Sequence, residues 1–389
     1  MTDIEWTKIT ERISQVAVLP PYEHQLAGMR QLIERPYFLL ADEMGAGKTK
    51  QVIDTAQVLY YYDIIDTVVV VAPASVRDVW FEVELGELRK HLWSITPAVI
   101  FQYHAVTKVW RTDAVLPHGK KPLTFVITNY DYIRSEVVTK KGRRKEYRYP
   151  RIDEGLDHFC SVKTLLVLDE SSAVSHHTAA QSRACENLRE RCGRIIELNG
   201  TPIGNSPGDL YMQCRILHPD ILGCDSFFHF KSRYAELGGY NGKQAVKWRN
   251  LDELQRLMAP YVLRRLKKDC LDLPEKMPPV IRTVPMTAHT WQHYKEMRDH
   301  MVTWLGNDQM TLAKQAIVKV MRLTQITAGF IGGVGATPEP TEEELQWQAQ
   351  FAELTDAKDD RDEQHSYDEI EGFDNVRVIG NEKVDATID

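Results

Sequence analysis

An apolar strand that runs into a small-residue loop and then into a helix constrains the fold more than any other stretch. The strand is predicted over Tyr37–Ala41, and residues 42–49 read Asp-Glu-Met-Gly-Ala-Gly-Lys-Thr. In a loop of this kind the backbone N–H groups surround phosphates, the lysine contacts the outer phosphates, and the hydroxyl binds Mg²⁺. The stretch predicts a phosphate-binding loop whose ligands are Gly45, Ala46, Gly47, Lys48 and Thr49.

The loop departs from the general pattern at Asp42. A glycine is usual five residues before Gly47, so the spacing alone leaves open a second interpretation, a glycine-containing turn with an incidental lysine. The predicted helix Lys48–Tyr62 completes a strand–loop–helix arrangement, which favours phosphate binding.

Five further apolar runs are predicted to be strands, and most of them end in a polar loop. They are Thr67–Ala72, Ala98–Gln102, Leu123–Thr128, Thr164–Leu168 and Arg194–Leu198. Strands that alternate with helices and deliver polar loops at their carboxyl ends describe an α/β fold with a doubly wound parallel sheet. The site is then expected at that edge of the sheet.

Two adjacent acids follow the strand Thr164–Leu168. Carboxylates are costly to bury without a partner, so Asp169 and Glu170 are best explained by a cation and a water molecule that they handle. Asp169 is predicted to hold Mg²⁺, and Glu170 to orient and deprotonate the water that attacks a γ-phosphate. The alternative is a strand that simply ends in a polar turn.

Composition indicates a globular chain without a membrane segment. No run approaches ~18 apolar residues and the N-terminus lacks a signal-peptide pattern, so we expect a cytoplasmic protein with no membrane partner.

The six cysteines form no CxxC pair, which argues against a zinc module or a disulfide framework. Of the net charge of −7, a balance of −11 lies in Thr341–Asp374, so the rest of the chain is mildly basic and compatible with nucleic acid.

Four further features complete the set of candidates. Gln25 has a donor and an acceptor that suit the edge of adenine, although such a residue alone is more often a surface polar group. Ser75 is a candidate helix N-cap that also suits a nucleic-acid phosphate.

The basic run Lys140–Arg151, which contains two tyrosines, is either a DNA-facing hairpin or a solvated loop. Met258–Leu271 is predicted to be a basic helix.

In order along the chain, these residues resemble the motifs of the Swi/Snf-type double-stranded DNA translocases of helicase superfamily 2, including their short bacterial and phage versions. The resemblance covers roughly residues 20–330. The matching stretches are Pro21–Gln25, Asp42–Thr49 (motif I), Ala72–Ser75 (Ia), Thr128–Asp131 (Ib), Asp169-Glu170 (II), Gly200–Asn205 (III), and Arg264–Asp269 before Leu273-Pro274. Motif I of this family commonly reads Asp-Glu-Met-Gly-x-Gly-Lys-Thr, so Asp42 fits the family's variant.

The resemblance implies a RecA-like sheet of the P-loop NTPase class followed by a helical region, and ATP hydrolysis with Mg²⁺ that depends on double-stranded DNA. The roles it implies are catalysis by Lys48, Asp169 and Glu170, metal binding by Thr49 and Asp169, adenine recognition by Gln25, and DNA contact by the loops of Ser75, Asn129 and Asn205.

Two residues differ from the pattern of many relatives. This chain has Ser172 where they carry the histidine of Asp-Glu-x-His, and Asn199 where motif III often begins with threonine. The histidine links the ATP site to motif III in the family. We expect Ser172 to supply one hydrogen bond in its place, with altered coupling and retained nucleotide binding.

The predicted organisation places the N-terminal RecA-like ATP-binding lobe at 1–215, a helical protrusion and linker at 216–285, the helical start of a second-lobe region at 286–330, and an acidic flexible insertion or tail at 331–389. No Gln-x-x-Gly-Arg signature of the second lobe follows. This resembles the N-terminal part of a translocase, either cut from a longer protein, truncated, or encoded by a split gene with the second lobe and its arginine finger on a separate chain, and we expect low ATP turnover by this chain alone. The alternative function is a non-cycling ATP- and DNA-binding or protein-interaction module.

Overall fold

The computed structural model describes residues 3–81, 86–104, 109–115, 121–138, 146–204, 206–238, 244–272, 284–300, 302–304, 310–312, 316–332 and 376–378. By their internal contacts the residues form two compact units, Met1–Glu275 and Lys276–Asp389.

Helices and strands alternate through most of the first unit. Its helices are α1 (Asp3–Val16), α2 (Glu23–Glu34), α3 (Lys48–Tyr61), α4 (Ala74–Phe81), α5 (Glu87–His91), α6 (Ala180–Glu190), α7 (Asp209–Leu217), α8 (Phe227–Tyr234), α9 (Leu251–Met258) and α10 (Lys267–Cys270). Its strands are β1 (Tyr37–Leu40), β2 (Thr67–Ala72), β3 (Ala98–His104), β4 (Val109–Val115), β5 (Leu123–Asn129), β6 (Glu136–Val138), β7 (Glu146–Arg148), β8 (Thr164–Asp169), β9 (Arg194–Leu198), β10 (Ala235–Gly238), β11 (Gln244–Trp248) and β12 (Val262–Leu263).

Eight strands form one sheet in the order β12-β1-β9-β8-β2-β5-β3-β4. Every neighbouring pair is parallel except β3 and β4, which are antiparallel. Alternate residues of β2 face two separate cores: Val69 and Val71 lie in one, and Val68 and Val70 in the other. Both faces of the sheet are covered, as the continuous apolar runs require. The predicted doubly wound parallel α/β fold is confirmed.

The register brings the carboxyl ends of the central strands to one edge. Leu40 of β1 and Asp169 of β8 both lie opposite Leu198 of β9, and Ala72 of β2 lies opposite Asn129 of β5. The loops that leave these strands therefore start side by side.

The predicted basic helix Met258–Leu271 is wrong. Helix α9 ends at Met258, and after a short turn the chain becomes extended as β12, with Val262 and Leu263 opposite Leu39 and Leu40. Backbone pairing with the sheet edge outweighs the helical propensity of the basic residues, and only Lys267–Cys270 are helical.

In the second unit, helices α11 (Ala288–His300) and α12 (Ala316–Thr327) pack through Met297 and Ile326. Two antiparallel pairs accompany them, β13 (Val302–Trp304) with β14 (Met310–Leu312) and β15 (Phe330–Gly332) with β16 (Val376–Val378). The acidic segment 341–374 lies outside the described residues, and the domain boundaries at 215, 285 and 330 stay predictions.

No helix in the described ranges is both long and apolar enough to cross a membrane. All six cysteines are free thiols in the structure.

Glu197 of β9 is a carboxyl group in the middle of the core. It is fully buried, and within the described part of the chain neither carboxyl oxygen has a hydrogen-bond partner of normal geometry. Burial raises the pKa of Glu197 well above its usual range, and the nearby Ser171 hydroxyl only partly opposes this rise. Burial therefore favours the neutral form of this carboxyl group.

The substitution Glu197→Gln should make the free energy of unfolding less dependent on pH above about 4.3, the pKa of a glutamate in the unfolded chain. In the folded protein, burial raises the pKa of Glu197 above that value. The folded state thus binds the extra proton, and its stability falls as pH rises from the unfolded pKa toward the folded one. Urea unfolding at several pH values measures the difference. The exposed Glu11→Gln is the control, and equal pH dependence in wild type and Glu197→Gln would contradict the neutral state.

Candidate functional site

The phosphate loop is built on two glycines in the left-handed region. Gly45 and Gly47 both have φ of 79°, and a Cβ atom on Gly47 would collide with the side-chain amide of Gln25. Helix α3 begins directly after Gly47, so Lys48 and Thr49 occupy its first turn. The Lys48 Nζ donates to the backbone carbonyl of Asp42 at 2.9 Å, which closes the loop on itself.

The Lys48 ammonium lies among the acids that end β8. Burial lowers the pKa of Lys48, and the negative charges of Glu170 and Asp169 oppose that change most strongly. The structure thus brings together the three residues that the sequence assigned to catalysis, although Lys48 lies more than 120 positions before the two acids. A cation and two carboxylates at the carboxyl edge of a parallel sheet suit the handling of phosphate, metal and water.

Asp169 is held in place by two hydrogen bonds to its carboxylate. Trp80 of α4 donates its Nε1–H to Oδ2 at 2.8 Å, and the backbone N–H of Glu170 donates to Oδ1 at 3.0 Å. Tyr130 donates its hydroxyl to the Asp169 carbonyl at 2.8 Å. Burial raises the pKa of Asp169, and the Trp80 bond opposes that rise. Sequence reasoning missed Trp80 and Tyr130, because a buried aromatic gives the same pattern whether or not its polar atom serves a site.

Glu170 has a left-handed backbone with φ of 49° and ψ of 58°. Such a conformation costs a non-glycine residue about 1–3 kcal/mol and is concentrated at functional sites. Burial raises the pKa of the Glu170 carboxyl, and the charge of Asp169 adds to the rise while Lys48 opposes it. A carboxylate with a raised pKa beside a metal ligand fits the predicted role toward water.

The expected hydrogen bond from Ser172 toward motif III is wrong, because Ser171 makes the connection. Ser172 is exposed, and its hydroxyl lies 3.5 Å from the carbonyl of Glu170. Ser171 is buried and donates to Oε1 of Gln213 at 3.0 Å, and Asn199 donates to the same oxygen at 3.1 Å. The loops after β8 and β9 are therefore joined through one side chain of α7.

Gln213 of α7 is a residue that sequence analysis did not select. Its Nε2 donates to the carbonyls of Pro202 at 2.8 Å and of Asp209 at 2.9 Å, so the fully buried amide uses both of its ends. Asn199, in turn, accepts a bond at Oδ1 from the backbone N–H of Thr201 at 3.0 Å.

Gln25 lies against the phosphate loop. Its Oε1 accepts the backbone N–H of Tyr22 at 3.0 Å, and its Nε2 lies 3.3 Å from the carbonyl of Ala46, to which the His24 ring also bonds. Each end of the amide keeps one further hydrogen-bonding position. Contact with adenine stays a prediction for this residue.

The predicted DNA-contacting residues are placed as follows. Ser75 is exposed and lies inside the first turn of α4. The carbonyl of Pro73 accepts the first helical hydrogen bonds, so the helix begins before Ser75. The N-cap prediction for Ser75 is therefore wrong. Asn129 is buried, and its Oδ1 accepts the N–H of Tyr132 at 2.8 Å. Asn205 lies outside the described residues.

The predicted DNA-facing hairpin is described only at its base. Strands β6 and β7 pair antiparallel, and Arg183 of α6 lies 4.2 Å from the ring centroid of Tyr147. The basic residues 140–145 lie outside the described part. Contact of all these residues with DNA remains a prediction.

The site residues fit a nucleotide with Mg²⁺. In the described ranges no group of three or more His, Cys, Asp or Glu side chains is arranged to hold a metal alone. Mg²⁺ is usually held by one or two carboxylates together with substrate phosphates. Asp169, at the end of β8, and Thr49, in the first turn of α3 after the glycine cradle, are the candidates for such a set.

A family profile for the SNF2-related domain matches residues 24–328, most of this chain. The chain belongs to the SNF2-related domain family. This confirms the resemblance to the Swi/Snf-type ATPases, and membership of the family implies the use of ATP.

Named relatives agree with the SNF2 assignment. The SWI/SNF-related matrix-associated actin-dependent regulator of chromatin subfamily A-like protein 1 homolog of Caenorhabditis elegans is 28% identical over 266 residues, 67% of this chain and 33% of that protein. The ATP-dependent DNA helicase DDM1 of Arabidopsis thaliana is 26% identical over 273 residues, 68% of this chain and 32% of that protein. The SNF2 chain spans about a third of the length of these relatives.

Among solved structures, the Sulfolobus solfataricus SWI2/SNF2 ATPase core in complex with dsDNA is similar at 22% sequence identity. The match covers 87% of this chain and 66% of that chain, with a TM-score of 0.47.

The substitution Gln213→Met should destabilise the SNF2 lobe by about 1–3 kcal/mol. The thioether has similar length but leaves the buried Ser171 hydroxyl and the Asn199 amide without their shared acceptor. Urea unfolding measures the change. The exposed Gln255→Met is the matched control and should stay within ~0.5 kcal/mol of wild type. Equal stability of the two variants would show that the network is not formed.

Proposed function

We propose that this chain is the ATP-binding lobe of a motor that hydrolyses ATP with Mg²⁺ and couples hydrolysis to movement on double-stranded DNA. The observation that carries the proposal is the meeting of Lys48 with Asp169 and Glu170 at the carboxyl edge of the sheet, next to the two left-handed glycines. Membership of the SNF2 family supports the same reaction class.

Each residue has a role that follows from its position. The N–H groups of the loop and the Lys48 ammonium bind the phosphate chain, because α3 begins at the loop and its first turn favours anions. Thr49 and Asp169 would hold Mg²⁺, which would supply positive charge to neutralise the phosphates. Trp80 orients the Asp169 carboxylate. Glu170 positions the attacking water and accepts its proton at the carboxylate.

Double-stranded DNA is the proposed partner that stimulates hydrolysis. The name of the Sulfolobus neighbour includes a complex with dsDNA, and the Arabidopsis relative is named a DNA helicase. The mildly basic balance outside residues 341–374 is compatible with phosphate contact. Within the lobe, the network of Ser171, Gln213 and Asn199 gives the ATP site a physical connection to the loop after β9.

Binding of ATP should depend on Lys48. Lys48→Ala removes the cation next to the loop, so we expect loss of ATP binding and of any phosphate release, with the thermal unfolding temperature close to that of wild type. Titration with ATP and Mg²⁺ in a calorimeter measures the binding. Lys8→Ala, an exposed lysine of α1, controls for the change in net charge. Unchanged ATP binding by Lys48→Ala would overturn the proposed function.

ATP turnover by this chain alone should be slow without a second lobe. The arginine finger of this family resides on the second RecA-like lobe and supplies ~10³–10⁵ in rate. We therefore propose that these 389 residues bind ATP but release phosphate slowly, and that adding a second-lobe chain together with duplex DNA accelerates release. Full, DNA-stimulated turnover by the chain alone would contradict this expectation. Continued slow release after adding the second lobe and DNA would favour a non-cycling binding module.

A further inference from the structure

A segment more than 200 residues downstream runs beside the phosphate loop. We call Val262–Lys268 the strap. The backbone N–H of Ala41 donates to the Leu263 carbonyl at 2.7 Å, and the N–H of Glu43 donates to the Arg265 carbonyl at 2.9 Å. The β12–β1 pairing thus continues past the sheet edge and along the first part of the loop.

The strap is fixed by a charged pair beneath the loop. Arg265 donates from Nε to Oδ1 of Asp42 at 2.9 Å, and from Nη2 to Oδ2 of the same carboxylate. The guanidinium also bonds the His24 carbonyl, and its Nη2 donates to Gln51 at 3.1 Å. Asp42 is fully buried, so this two-pronged pair sets the position of the strap backbone.

This anchoring places a second lysine on the loop. The N–H of Lys267 donates to Oε2 of Glu43 at 2.8 Å, which holds the start of the residue. Its Nζ lies 2.6 Å from the position that a Cβ atom on Gly45 would occupy. The Lys48 Nζ donates to the carbonyl of Asp42 at 2.9 Å, so both ammonium groups lie against the same loop.

Two ammonium groups on one loop repel each other, and an anion bound between them would offset that repulsion. Among the residues that the structure describes, no carboxylate lies within ion-pair distance of the Lys267 ammonium. Asp42, the buried acid at the start of the same loop, is occupied by Arg265. The phosphate chain of a nucleotide is the polyanion that a loop of this kind binds.

We infer that Lys267 is a second phosphate-binding lysine of the nucleotide site, delivered by the strap, and that Arg265 and Asp42 are positioning residues for it. This inference rests on the proposed function, because it assigns a further ligand to the same site. It also explains a glycine at position 45, since any side chain there would displace the Lys267 ammonium.

The test is calorimetric titration of the full chain with ATP and with ADP, each with Mg²⁺, at low salt. We expect Lys267→Gln to weaken ATP binding on the order of tenfold, the effect of losing one hydrogen bond to a charged group. Lys268→Gln is the matched control, because it removes the same charge from the exposed neighbouring residue, and it should bind as wild type does. Loss of affinity for ATP alone or for both nucleotides supports the inference. Unchanged affinity, or equal loss in Lys268→Gln, overturns it.

A double-mutant cycle tests the positioning role. Arg265→Lys keeps the charge but cannot bond both oxygens of Asp42, so it should weaken ATP binding by releasing the strap. Combined with Lys267→Gln it should add almost nothing, since both changes remove the same contact. Fully additive losses would overturn the positioning role of Arg265. Thermal unfolding of each variant shows whether the lobe remains folded.

The Lys48→Ala variant separates the two possible failures. If Lys48→Ala abolishes ATP binding while Lys267→Gln leaves it unchanged, the role of Lys267 is wrong and the proposed function stands. If Lys48→Ala also binds ATP normally, the proposed function fails, and with it the assignment of Lys267.

Discussion

The buried carboxylate of Asp42 is the charge on which the arrangement of the phosphate loop depends. It lies just after β1 with no exposure to solvent, and it is paired with Arg265 and bonded by Gln51 at 3.2 Å. A buried charge without a partner costs several kcal/mol, and removing one member of such a pair typically destabilises a protein by about 3–5 kcal/mol. The phosphate loop therefore depends on Arg265, which follows Asp42 by 223 positions in the sequence.

A buried ion pair of this kind contributes little net stability, because the desolvation of both groups offsets their attraction. Its effect is to select one arrangement. With Asp42 fixed, Arg265 must approach from the β12 side, and the chain on either side of Arg265 must be extended or turned to allow it. In this chain the pairing with Arg265 gives the acid at position 42 a buried partner.

Local pattern was enough to locate most of the sheet and the catalytic candidates. Strands β2 and β9 have the predicted bounds, and Lys48, Asp169 and Glu170 meet as expected, because buried parallel strands are continuous apolar runs with polar ends. These features depend on residues that are neighbours in sequence. Pairings that depend on distant residues were not visible, and β12 is the clearest example, since its two residues become a strand only by pairing with β1.

Sequence analysis also could not show which serine joins the two loops. Ser171 and Ser172 are chemically equal, and the choice between them depends on the direction of the backbone after Glu170. The left-handed conformation of Glu170 turns the chain so that Ser171 faces Gln213 in the core and Ser172 faces solvent.

The left-handed turn at Glu170 lies between the candidate catalytic carboxylate and the hydrogen bonds that join the loops after β8 and β9. Glu170 is the candidate that handles the attacking water, and its strained backbone directly precedes the hydroxyl that Gln213 binds. A strained conformation persists only when its surroundings fix it, and here the bonds of Asp169 and Ser171 fix it from both sides. Gln213 accepts bonds from Ser171 and from Asn199, so hydrogen bonds connect the turn at Glu170 with the loop after β9.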